Sequence, residues 1–153
     1  MAWTWGALSD PTVGALLTPP MRALQNYLGL SEKTYPRQDI LRTTDATVTT
    51  LHTETIPVDT SVCVSGYVVA RRTGGASGAA NDGAAYRVEF LAKNTAGTAA
   101  LIGSGTVTVL GESQAGWDCT LSATGGTILV QVTGAAGNNV TWNWSGRTLA
   151  GKE

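Results

Sequence analysis

The chain has 153 residues, a net charge of −1 and only 14% charged residues, where ordinary soluble domains carry about a quarter. That length fits one ordinary domain with an appendage. Four basic and three acidic residues precede Thr43, and six and eight follow it, so neither part has the basic footprint of a nucleic-acid binder. No apolar run approaches the ~18 residues of a membrane span. The start, MAWTWGALSD, lacks the basic opening and long apolar stretch of a secretory signal, which points to a protein made in a cytoplasm. A surface of Thr, Gly, Ala, Ser and Asn lets copies pack together with little charge repulsion, which favours a subunit of an assembly. The two cysteines, Cys63 and Cys119, match no zinc spacing. In a reducing compartment they read as small buried apolar residues rather than a disulfide.

The first 42 residues hold four of the five prolines and two plausible helices. SDPTVGALL places Asp10 as N-cap and Pro11 at the first helical position. TPPMRALQNYLG repeats the grammar, with Thr18 as cap, Pro19 first and Gly29 as the stop. There Met21, Leu24, Tyr27 and Leu28 fall at helical spacing and form one apolar stripe. A helix of about ten residues is marginal alone, so the stripe needs something to lie on. Trp3 and Trp5 near the terminus read the same way, because a terminus is ordered mainly when it docks. Residues 1–42 are therefore expected to form an anchoring arm that binds through Trp3, Trp5, Leu16, Leu17, Leu24, Tyr27 and Leu28. Its last part, SEKTYPRQDI, reads as an extended linker, since Tyr35 precedes a proline.

From Thr43 to Glu153 the pattern is β. TTDATVTTLHTETI is rich in β-branched residues. SVCVSGYVVARR carries Val62, Val64 and Val68 on one face and Cys63, Tyr67 and Val69 on the other. AAYRVEFLAKN follows a glycine-rich stretch, and GTAALIGSGTVTVL centres on Val107 and Val109. AGWDCTLSAT sets Trp117, Cys119 and Leu121 against Asp118, Thr120 and Ser122. GTILVQVTG and NNVTWNWSGRTL close the series, with turn chemistry at NTAG, GESQAG, TGG and GAAGNN. About seven strands joined by short turns predict an all-β domain, an antiparallel β-sandwich or jelly roll. A strand apolar on both faces does not suit a sheet with one wet face. The second face of Cys63, Tyr67 and Val69 packs on another layer or on a neighbouring subunit, and an oligomer interface is the preferred reading.

No residue pattern supports catalysis. The single histidine, His52, lies mid-strand between threonines and is expected to face the surface or a turn. No zincin, nucleophile-elbow or phosphate-loop motif is present, and no cofactor or metal site is expected. The stretch ARRTGGASGAANDGAAYR lies between two strands, whereas phosphate cradles precede a helix N-terminus. It reads as a loop at a domain edge, with Arg71, Arg72 and Arg87 at the strand ends and Asp82 within reach of one of them. An anion site on Arg71 and Arg72 is a weak alternative. Trp142 shares its face with Val140 and reads as core. Trp144 is equally placed for core packing or for stacking against a sugar. Asn139 in NVT and Asn143 in NWS match the glycosylation pattern by chance, given no secretory signal.

Three motifs in order, TTDATVTTL, VVARRTGGASGAANDGAAYRVE and WDCTLSATGGTILVQVTGAAGNNVTWN, resemble a β-domain recurrent in tailed-bacteriophage structural proteins of tail-fibre, tail-tip and head-decoration type. The resemblance covers most of residues 43–148 and leaves residues 1–42 out. It implies a virion component, commonly trimeric, assembled in the host cytoplasm, with no catalytic residues. It also implies structural roles for Arg71, Gly74, Asp82, Tyr86, Trp117, Gly134, Val140 and Trp142. The short arm implies a small accessory protein fixed to capsid or tail proteins. The alternative expectation is a host-surface or carbohydrate-binding module that contacts glycan through Trp144 and the 73–83 loop.

Overall fold

A computed structural model describes residues 37–151 of the chain. These residues form eight strands and no helix. The strands are β1 (Arg37–Thr43), β2 (Thr49–Thr55), β3 (Thr60–Gly74), β4 (Gly83–Thr95), β5 (Thr98–Glu112), β6 (Asp118–Thr124), β7 (Thr127–Thr133) and β8 (Asn139–Gly151). A five-stranded sheet runs β1-β8-β3-β4-β5 and a three-stranded sheet runs β2-β7-β6, with every recorded pairing antiparallel.

The alternation read from the sequence places the core. Val62, Val64 and Val68 of β3, Tyr86 and Val88 of β4, and Val140, Trp142 and Trp144 of β8 point to one face of the larger sheet. Ile128, Val130 and Val132 of β7 and Cys119 of β6 join them in the same buried cluster. Burial of such side chains contributes about 1.5–3 kcal/mol each, so this shared cluster is the main stabilising feature. Trp142 is the anchor expected of it. Its ring lies 5.8 Å from that of Trp117 and 6.5 Å from that of Tyr86, and its indole N–H donates to Thr43 Oγ1 at 2.9 Å.

The sheet begins at Arg37, ahead of the boundary expected at Thr43. The stretch read as the end of a linker is strand β1, paired in full with β8 from Arg37↔Gly146 to Thr43↔Val140. Its three charges and the proline before it are edge-strand features, which suit a strand at the margin of a sheet. The arm residues Trp3, Trp5, Leu16, Leu17, Leu24, Tyr27 and Leu28 lie outside the described residues.

Trp144 is also placed by the register. Gly66 of β3 pairs with Gly146 of β8, and the Trp144 ring packs over both. A Cβ on Gly66 would meet Trp144 Cη2 at 2.5 Å, and one on Gly146 would strike the same ring. Two facing glycines therefore make the slot that admits a tryptophan.

Candidate functional site

Three places concentrate polar chemistry. The first joins the margins of the two sheets. Strand β2 carries a bulge between Thr50 and His52, where one extra residue shifts the side-chain phase. Leu51 and His52 are consequently both buried, and Glu54 follows inward. His52 is 4% exposed, which corrects the expected surface-facing side chain. Its Nδ1 lies 2.6 Å from Asp39 Oδ2 of β1, and its Nε2 lies 3.2 Å from Glu54 Oε2. Its ring stacks on Trp144 at 5.1 Å. Burial opposes the charged imidazole, but the hydrogen bonds and charges of Glu54 and Asp39 outweigh it, and the pKa is raised. Both ring nitrogens are bound to carboxylates, so neither is left to accept a proton from a substrate. A recess of about 500 Å³ opens beside this cluster, lined by Gln38, Asp39, Thr50, Leu51, His52 and Thr53. The arrangement ties β1 to β2.

The second place is the glycine-rich loop between β3 and β4. It is wrapped around one guanidinium. Arg72 Nε donates to Ser77 O at 2.7 Å and to Asn138 Oδ1 at 3.2 Å, while Nη2 donates to Gly75 O at 2.6 Å and Nη1 to Ala79 O at 3.4 Å. Arg71 Nη2 donates to Asn81 Oδ1 at 2.9 Å. Both arginines thus hold the loop's own oxygens, and the weak anion-site alternative falls. Gly83 opens strand β4 rather than a helix, as the sequence reading required. Two details differ from expectation. The Asp82 carboxylate accepts from Ala79 N–H and Gln114 Nε2, each at 2.7 Å, rather than from an arginine. Arg87 lies within β4 and pairs with Glu89 at 3.0 Å, rather than at a strand end.

The third place is the outer face of the five-stranded sheet. Cys63, Tyr67 and Val69 are all exposed there, on the face opposite Val62, Val64 and Val68. Register groups the outward side chains into rows. Leu149, Cys63, Leu91 and Ile102 stand side by side on four adjacent strands. Leu149 is 68% exposed, Leu91 40% and Ile102 42%. A second apolar row holds Ile40 and Val69, separated by Asn143. Between the two rows runs a polar strip, Ser145–Tyr67–Arg87 and Arg147–Ser65–Glu89. These six residues line a shallow groove of about 490 Å³.

The expected cysteine burial holds for Cys119 only. Its thiol is pushed up to about 12 by burial and by the Asp118 charge. Cys63 is exposed, and both thiols are free. The expected glycan contact at Trp144 is corrected, because that ring is 1% exposed and covered by the glycine pair and His52. Sequence reasoning missed Asp39, Glu54 and the polar strip. Among the described residues no group of three or more His, Cys, Asp or Glu is placed to hold a metal ion.

No family model matches the chain, and no curated protein matches it. Among solved structures it is similar to the tailspike protein of Acinetobacter baumannii phage AM24, at 12% identity and a TM-score of 0.41. That match covers 74% of this chain and 26% of that one. It is also similar to a tailspike protein of Acinetobacter baumannii bacteriophage Fri1, a capsular polysaccharide depolymerase, at 12% identity and a TM-score of 0.37. Here the match covers 82% of this chain and 21% of that one. The chain spans about a quarter of the length of the solved chains it matches. A likeness this distant carries no argument about activity, substrate or partner.

Proposed function

We propose that the chain is a non-enzymatic structural component of a tailed-phage virion. In this reading it is a small trimeric fibre- or decoration-type protein, anchored to capsid or tail proteins through residues 1–42. One observation carries it: the outer sheet face lines up Leu149, Cys63, Leu91 and Ile102 in the open. A row of that kind marks an interaction surface, and the low charge of the chain favours contact between copies. The ordered motifs of residues 43–148 support the virion context. Two antiparallel sheets contributing to one core support a β-sandwich or jelly-roll form of the domain.

The virion role is tested by mass spectrometry of gradient-purified phage particles. Peptides of this chain at fixed stoichiometry are expected, and their absence from intact particles rules the role out. Deleting residues 1–42 is expected to abolish incorporation. Normal occupancy of the truncated protein would remove the arm from the proposal. A second reading, a carbohydrate-binding module of a phage tail, is favoured by the polar groove at Tyr67 rather than by Trp144.

A further inference from the structure

The polar strip on the outer face has the shape of a small subsite. In the register of β8, β3 and β4, Ser65 sits between Arg147 and Glu89, and Tyr67 sits between Ser145 and Arg87. The short serines are low points, and the four longer side chains stand around them. The volume, about 490 Å³, falls within the ~300–1,000 Å³ of small-molecule sites.

The chemistry of the walls is unequal. Tyr67 is 52% exposed and offers a flat apolar ring with a polar tip. Arg87 and Glu89 are bridged at 3.0 Å, which neutralises both and leaves carboxylate lone pairs to accept from hydroxyl groups. Arg147 is exposed and has no acidic partner among the described residues. The groove therefore carries one uncompensated positive charge, beside an aromatic face and two hydroxyls. A guanidinium fork matches a carboxylate bidentately. One such charge is too little for a nucleic-acid backbone, which is held by several phosphate contacts. It suits a single anionic group on a polyhydroxylated ring.

We propose that this groove binds an anionic sugar, with a pyranose face on Tyr67 and its carboxylate on Arg147, while Glu89, Ser65 and Ser145 take ring hydroxyls. This rests on the carbohydrate-binding reading above and names its ligand class. The side chains belong to the sheet rather than to a mobile loop, so the subsite is preformed and little ordering cost opposes binding.

The test is titration of the full chain, by calorimetry or ligand-observed NMR, with trigalacturonate, a glucuronate oligosaccharide and sialyllactose. Fully methyl-esterified trigalacturonate and maltotriose serve as uncharged counterparts. At least one acidic sugar is expected to bind, tenfold or more tighter than the uncharged counterparts. Arg147→Ala and Tyr67→Ala should each weaken it tenfold or more. Val58→Ser, exposed in the connection between β2 and β3 and outside the groove, should leave it unchanged. All three residues are exposed, so folding is not at stake. Equal binding of acid and methyl ester would overturn the anionic assignment while leaving a sugar-binding module standing. Failure of every sugar to bind, or binding indifferent to both Arg147→Ala and Tyr67→Ala, would overturn the subsite itself. Concentration-dependent shielding of Tyr67 from modification would also overturn it, by giving the groove to a second copy.

Discussion

Strands β3 and β8 lend alternate residues to two faces that are built to different tolerances. On the inner face Val62, Val64, Val68, Val140, Trp142 and Trp144 are closed off from solvent. There the Trp144 ring fits a slot made by two particular glycines and stacks on His52, which is held between Asp39 and Glu54. On the outer face Cys63, Tyr67, Val69 and Leu149 stand open. The same backbone thus carries one surface that selects a single packing and one that leaves apolar groups uncovered by the other described residues. Interiors are close-packed and punish small changes of volume, whereas exposed positions tolerate them. The inner face should therefore report on folding, and the outer face on association.

Substitutions can break that contrast, and the largest effect is expected inside. Trp144→Ala should cost about 3–5 kcal/mol of stability in urea denaturation, since it empties the slot and unstacks His52. A cost below about 1 kcal/mol would mean that the slot collapses freely. Gly66→Ala should cost about 1–3 kcal/mol, because its methyl group would sit against Trp144 and the Ser145 carbonyl. His52→Gln comes next, at about 1–3 kcal/mol, since it disturbs the link between Asp39 and Glu54.

His52 also sharpens the contrast through pH. Its folded pKa lies above the ordinary imidazole value of 6.5, so the protonated form is the one favoured by folding. Its contribution is fully present below about 6.5, the unfolded value, and is lost as pH rises through the folded value. Wild-type stability should therefore decline as pH rises above about 6.5, with a weaker decline in His52→Gln. Parallel pH profiles for the two proteins would remove His52 from the account. The smallest effect is expected outside. Leu149→Ser should change monomer stability by no more than about 0.5 kcal/mol, while lowering self-association. A large loss of stability there would mean that the residue belongs to the fold.

Much of this contrast was legible in the sequence, and the exceptions have local causes. The alternation of SVCVSGYVVARR already separated Val62, Val64 and Val68 from Cys63, Tyr67 and Val69, because a regular strand keeps its phase. The core role of Trp142 followed from its partner Val140 on the same side. β2 breaks phase at Leu51, so His52 points inward where an outward side chain was expected. Nothing in TLHTET announces a bulge. Strand β1 was hidden by Pro36 and its charges, which resemble linker composition until β8 is seen beside it. Trp144 could not be resolved from its own segment, since its burial depends on Gly66, a residue far away in the chain. The polar strip was equally invisible, because its six members come from three strands and meet only through register.

Sedimentation velocity of the full chain across micromolar concentrations tests the central claim most directly, with Leu91→Arg/Leu149→Arg measured beside it. A trimer is expected for the wild type. A folded monomer is expected for the variant, whose charges would repel across the contact. A wild-type protein that stays strictly monomeric throughout that range would contradict the claim that the row of Leu149, Cys63, Leu91 and Ile102 meets other copies of the chain.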